Sequence, residues 1–332
     1  MAQHTDSTFS EHLQELRAAL EKHDLDGALT ILQMLQPPDQ ADLLDELETD
    51  EQITLLPALQ PADSANILEE MDDDRAAELV AALPTAAAIR IIDEMEPDEA
   101  ADLLGDLEPA HAQKVLAKLG GAEELRPLLL HADDSAGGLM TSEFLALRRR
   151  TSAADALDAI RVWQPKSDTL SDLFVIDSHG RLCGVVSMRQ LIIAEPAALM
   201  LNIMDPEPVW VSAGTDQETC AQLMSRYNLL VLPVVNSQHE LIGVITIDDV
   251  VDVLEAEATE DIQRLGGAEP LKRPYLDTPI LSIARKRVSW LLLLFVTESL
   301  TGSVLRFFEN ELQAVVALSF FIPLLIGTGG NA

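Results

Sequence analysis

Two cysteines, Cys183 and Cys220, in 332 residues leave no room for a disulfide framework and fit a reducing compartment. Aromatic residues make up 4% of the chain, too few for the stacking platforms on which single-stranded nucleic acid is held. Basic residues are scarce: 22 Lys and Arg stand against 56 Asp and Glu, a formal charge of −34. Phosphate neutralisation draws on clustered Lys and Arg, so nucleic acid is excluded as a partner and cations are favoured. The seven His are scattered, and there is no P-loop, His/Cys metal cluster or convincing nucleophile–base pair. We expect no enzyme. Residues 1–36 are polar with a mixed helical pattern and carry no signal peptide.

What the chain has is repetition. Leu35, Leu47, Leu59, Met71, Leu83, Met95, Leu107 and Leu119 recur every 12 residues. Two residues after each comes Pro37, Thr49, Pro61, Asp73, Thr85, Pro97, Pro109 or Gly121, mostly residue types suited to a helix start. Eight and nine residues after each of the first seven comes an apolar pair, from Leu43-Leu44 to Val115-Leu116. Each unit predicts a short helix that cannot bury its apolar face alone, so stacked units build one core. Residues 10–130 therefore read as an all-α solenoid or superhelix. Residues 37–109 carry 22 acids against Arg75 and Arg90. Most of these acids solvate a surface; a few, such as Asp93, are expected to face another domain and share a divalent ion.

A tandem repeat follows. Leu139-Met140-Thr141 matches Ile203-Met204-Asp205, and Thr151-Ser152 matches Thr215-Asp216. Leu173–Gly180 matches Leu232–His239, each a strand running into a turn. The copies close with Gly184-Val-Val-Ser187-Met-Arg-Gln190 and Gly243-Val-Ile-Thr246-Ile-Asp-Asp249. This order, over 137–258, resembles a pair of cystathionine-β-synthase (CBS) domains. The resemblance implies α/β folds and a capacity for adenine nucleotides such as ATP, with Ser187, Arg189, Thr246 and Asp249 as candidate ligand-binding residues. Gln190 departs from the pattern, which places an Asp there for the ribose hydroxyls.

From Asp248 to Leu265 the periodicity is helical, with Val250, Val251, Val253, Leu254, Ala258, Ile262 and Leu265 apolar. Seven carboxylates precede Arg264 in this stretch. Glu257, Glu260 and Asp261 stand at i, i+3 and i+4, so their charges crowd one face and repel. Arg285-Lys286-Arg287 then opens Val288–Leu305, apolar apart from Glu298 and a few small or hydroxylated residues. Leu312–Ala332 carries no charge. Both have the length of α-helical transmembrane spans, and the basic triplet places the preceding residues in the cytoplasm. Glu298, mid-span, is a candidate for ion passage, as are Gly329, Gly330 and Asn331, where irregular backbone lines a cavity. Because the sequence stops inside the second span, we read it as an incomplete chain.

Acidic helical repeat, CBS pair, acidic helix, and spans ending in Leu325-Ile326-Gly327-Thr328-Gly329-Gly330-Asn331 together resemble the MgtE family of magnesium channels. The resemblance implies a homodimer in the cell's inner (plasma) membrane, multi-pass, with cytoplasmic N-terminal domains and a connecting "plug" helix. It further implies that cytoplasmic Mg²⁺ closes the pore. The positions it assigns to regulatory Mg²⁺ are Asp216, Glu218, Asp249, Glu257, Glu260 and Asp261, with Asp93 as the N-terminal partner; Asn228 stands where an acid is expected. Expected boundaries are 1–132 for the helical domain, 133–202 and 203–250 for the CBS copies, 251–284 for the connecting helix and linker, and 285–332 for two membrane helices. Two other readings compete: a membrane-tethered CBS nucleotide sensor, and a transporter of another divalent cation, Co²⁺ or Mn²⁺.

Overall fold

The computed structural model describes residues 2–163, 172–265 and 280–307. The expected second span, with Gly329, Gly330 and Asn331, lies outside them. The chain divides into two compact units, Met1–Glu255 and Ala256–Ala332.

The first unit begins with α1 (Ala2–Glu21) and α2 (Leu25–Leu32), followed by the repeats. Helices α3 (Pro37–Asp45), α4 (Thr49–Leu55), α5 (Pro61–Glu69), α6 (Asp73–Ala82), α7 (Thr85–Ile92), α8 (Pro97–Asp106) and α9 (Pro109–Leu116) start on the predicted residues, 12 apart. Proline at a first helical position has no N–H to leave unsatisfied, which fixes four of these starts. Helices of 7–10 residues are unstable alone in water. They persist because Leu47, Leu59, Met71, Leu83, Met95 and Leu107 share one continuous core with the apolar pairs. A polar seam locks successive turns. Gln40 Nε2 donates to Leu32 O at 2.8 Å, Gln52 Nε2 to Leu44 O at 2.6 Å, and Ser64 Oγ to Leu56 O at 2.7 Å. Each reaches back eight residues. Helix α10 (Ala122–Leu128) closes the array.

The CBS copies follow. The first carries β1 (Ala146–Arg148), α11 (Ala153–Val162), β2 (Asp172–Ile176), β3 (Leu182–Ser187), α12 (Met188–Ile193) and α13 (Met200–Ile203). The second carries β4 (Val211–Ser212), α14 (Gln217–Tyr227), β5 (Val231–Val235) and β6 (Leu241–Thr246). In both sheets the first strand pairs parallel with the second and the second antiparallel with the third. The copies exchange their leading segments: Thr141 bridges to Val244 on β6, and Asp205 to Val185 on β3. Gly184 and Gly243 make this exchange possible. A Cβ at Gly243 would lie 2.6 Å from Met140 Sδ and 2.9 Å from Thr141 O; one at Gly184 would lie 2.5 Å from Asp205 O.

The predicted acidic helix is α15 (Ile247–Leu265), and its first nine residues belong to the first unit. In the second unit, α16 (Ile280–Phe307) spans 28 residues and contains the expected first span. Among the described residues, no helix is long and apolar enough to cross a membrane. In α16, Thr297, Glu298, Ser299 and Ser303 dilute the apolar run Leu291–Val296, whose side chains are exposed.

Candidate functional site

Helix α8 joins two cores. Ala100, Leu103 and Leu104 belong to the helical-domain core, whereas Ala101 packs in the core of the second CBS copy with Leu128, Met140, Val250 and Val253. Residues 98, 101 and 102 share a face of α8 by the i, i+3, i+4 rule. That face therefore carries Asp98 and Asp102 toward the start of α15, where Asp249 sits.

The result is a concentration of carboxyls in little water. Asp98 is 5% exposed. The Thr141 hydroxyl hydrogen-bonds its side chain, and its Oδ1 is buried with no hydrogen-bond partner. Burial holds the Asp98 carboxyl well above the usual range, and the charges of Asp249 and Glu96 add to this. Burial also pushes Glu96 up to about 7, with Glu69 and Asp249 contributing, and Glu99 up to about 10, with Asp98 and Asp249 contributing. Asp102 rises to about 7 through burial and then Asp73, Asp133 and Asp106. Asp249 rises to about 6 through burial, with Asp248 and Asp252 adding and hydrogen bonds from Thr246 opposing. An ionised carboxylate so placed must take up a proton or gain a cation.

Of the residues singled out from the sequence, Asp249 is at this face. The structure places Asp98 there, and Asp93 elsewhere: the Asp93 carboxylate accepts from Gly120 N at 2.8 Å, on an exposed turn. Asp216 and Glu218 are exposed at the start of α14. Asp216 accepts from Glu218 N at 3.0 Å as a helix cap, and Glu218 accepts from Gln222 Nε2 at 3.0 Å. Asn228, expected as an acid, ends α14 in the left-handed conformation, φ 52° and ψ 47°, which asparagine tolerates well. Glu257, Glu260 and Asp261 lie on α15 in the second unit, with Glu260 paired to Arg264. Burial raises the Glu70 carboxyl of the helical domain, and the charge of Asp252 on α15 adds to it. Sequence reasoning missed Asp98, Glu96, Glu99 and Asp102.

The oxygen-only donor set suits a hard dication such as Mg²⁺, which takes one or two carboxylates and keeps several waters. The orphaned Asp98 Oδ1 fits such an ion. Among the described residues, no three His, Cys, Asp or Glu converge closely enough to form a metal centre on their own, so a bound ion would retain water. At the nucleotide candidates, Ser187 caps α12, and Thr246 immediately precedes α15. Ser187 shares a reciprocal cap with Gln190, and Thr246 hydrogen-bonds Asp249.

Fold and face together define a class: an acidic helical domain docked on a CBS pair. The family model for the MgtE intracellular N domain matches residues 35–134, and that for the CBS domain matches 136–196 and 201–256. The magnesium transporter MgtE of Thermus thermophilus is 44% identical over 208 residues, 63% of this chain and 46% of the relative. That of Bacillus subtilis is 34% identical over 204 residues, 61% of this chain and 45% of the relative. A crystal structure of the cytosolic domain of the Mg²⁺ channel MgtE in complex with ATP is 34% identical, with a TM-score of 0.69; the match covers 73% of this chain and 99% of that one. The soluble part of a magnesium transporter follows at 26% identity and a TM-score of 0.67, over 75% and 99%. The chain belongs to the MgtE family. It spans about half the length of the curated relatives it matches, which are transporters and not enzymes.

Proposed function

We propose that this chain is the Mg²⁺-sensing cytoplasmic part, with the membrane entry, of a magnesium transporter, and that Mg²⁺ held at the α8–α15 face favours closure of the pore. The observation that carries this is the set of five buried or half-buried acids, Glu96, Asp98, Glu99, Asp102 and Asp249, with one oxygen unpartnered. Two carboxylates about 4 Å apart repel by roughly 4 kcal/mol at an effective dielectric near 20. Without a cation or protons, such contacts push α8 away from α15. With a dication they hold it, and binding shifts the population toward the docked state. Glu257, Glu260 and Asp261 extend the same logic along α15, and Asp216 and Glu218 are secondary candidates.

For the membrane part, α16 is proposed as the first span. Its hydroxyls are satisfied within the helix: Thr297 Oγ1 donates to Leu293 O at 2.9 Å and Ser299 Oγ to Phe295 O at 2.7 Å, as an apolar surrounding requires. The basic triplet Arg285-Lys286-Arg287 then faces the cytoplasm of the inner membrane. Glu298, Gly329, Gly330 and Asn331 remain pore candidates, and the assembly is a homodimer. Carboxylates suit Mg²⁺ and Mn²⁺ alike; the similarity to magnesium transporters favours Mg²⁺.

Limited proteolysis tests the sensing step. At pH 8, millimolar Mg²⁺ should protect the segment joining α10 to β1 in the intact chain. Cleavage at the same rate with Mg²⁺ and with a chelator would count against it. A second reading, a CBS nucleotide sensor, is favoured by the ATP complex of the relative. On that reading ATP alone, without Mg²⁺, gives the protection.

A further inference from the structure

We propose that Gln190 closes the first CBS copy to nucleotides held by a free ribose diol, and so sets ligand choice at that copy. This rests on the reading that the CBS pair offers a nucleotide cleft at all. Gln190 is the third residue of α12 and forms a reciprocal cap with Ser187. Ser187 N donates to Gln190 Oε1 at 2.9 Å, Ser187 Oγ donates to the same oxygen at 2.9 Å, and Gln190 N donates to Ser187 Oγ at 3.3 Å. A backbone N–H only donates, so the atom facing it is the amide oxygen and the amide orientation is fixed. A carbonyl oxygen has two acceptor positions, and Ser187 takes both. What Gln190 has left is Nε2, a donor without acceptor capacity. The clasp of two hydroxyls by one carboxylate is gone.

The second copy shows what is missing. Asp249 occupies the matching place, and Thr246 donates from N at 3.3 Å and from Oγ1 at 2.6 Å to one oxygen, Oδ2. The cap leaves Oδ1 uncommitted, but this carboxylate is turned into the acidic face with α8. Gln190, by contrast, is exposed. With the domains docked, neither copy presents an open carboxylate to a ribose. Because Asp249 accepts from Thr246 N and Oγ1 as Gln190 accepts from Ser187 N and Oγ, an acid at 190 is compatible with the local fold.

Gln190→Glu keeps the side-chain length and the Ser-x-x-Glu capping box while restoring an acceptor oxygen; Gln190→Asp copies the second copy. Calorimetric titration of the full chain with ATP and with 2′,3′-dideoxy-ATP tests the assignment. The wild type should bind the two equally weakly or not at all. One of the acid variants should gain ~10- to 100-fold for ATP, the range of hydrogen bonds to a charged group, and gain nothing for the dideoxy form. A wild type that prefers ATP tenfold over the dideoxy form overturns the proposal, as does an equal gain for both ligands. If all three proteins bind neither nucleotide, the cleft is not a nucleotide site and the proposal falls with that premise. If the wild type binds both equally and the variants gain nothing, the cleft stands and the role of Gln190 falls alone.

Discussion

Asp249→Asn removes one charge from the acidic face and leaves its shape. The asparagine oxygen can still accept from Thr246 N and Oγ1, the bonds that hold Asp249 now. The rise of the Asp249 carboxyl from 3.8 to about 6 corresponds to roughly 3 kcal/mol at about 1.4 kcal/mol per pH unit. A group with a raised pKa binds its proton more tightly in the folded state. The cost of ionising it is therefore absent below pH about 4 and complete above about 6. Weaker, uncharged acceptance from Thr246 returns about 1 kcal/mol of the gain. Without divalent cations at pH 8, the variant should be more stable by roughly 2 kcal/mol, or about 4–8 °C in thermal unfolding for a unit of this size. The gain should shrink steadily as pH falls from 6 to 4. Added Mg²⁺ should raise the wild type's melting temperature more than the variant's. A variant less stable than wild type at pH 8, or a gain independent of pH, would refute the reasoning.

Two further outcomes test the scaffold. Gly243→Ala places a methyl against Met140 Sδ and the Thr141 carbonyl, and should destabilise the CBS pair by about 1–3 kcal/mol, read as a lower urea midpoint. Gln52→Leu removes the 2.6 Å bond from Gln52 Nε2 to the buried Leu44 carbonyl and leaves that oxygen its backbone bond from Leu47 N. It should cost about 0.5–1.5 kcal/mol, whereas replacing an exposed repeat acid such as Asp50 should change the midpoint little.

Local chemistry made the repeat legible. Seven helices begin on the Pro, Thr or Asp residues that the 12-residue period marks, because helix starts depend on the residue at the start itself. The exchanged CBS segments were legible as matching strings, Met140-Thr141 and Met204-Asp205, though the exchange is a tertiary event that no string records. The acidic face was hidden for the same reason. Asp50, Asp74 and Asp98 hold the same place in their repeats, yet Asp50 is exposed, Asp74 partly so and Asp98 buried. The difference is made by the second CBS copy closing over α8, not by anything within the repeat. Asp93, the acid favoured from sequence, follows an apolar pair in an acid-rich stretch, but it ends its helix on the turn bonded to Gly120.

Replacement of protons and repulsion by Mg²⁺ at the α8–α15 face is read most directly by calorimetric titration of Mg²⁺ at pH 6.5 in two buffers with different ionisation heats. Glu96 and Asp102, at about 7, and Asp249, at about 6, are partly protonated there and must ionise to hold a dication. Mg²⁺ binding should release protons, on the order of one per chain, and this release should be abolished in Asp98→Asn/Asp249→Asn. Binding without proton release, or with the same release in the double variant, would contradict it.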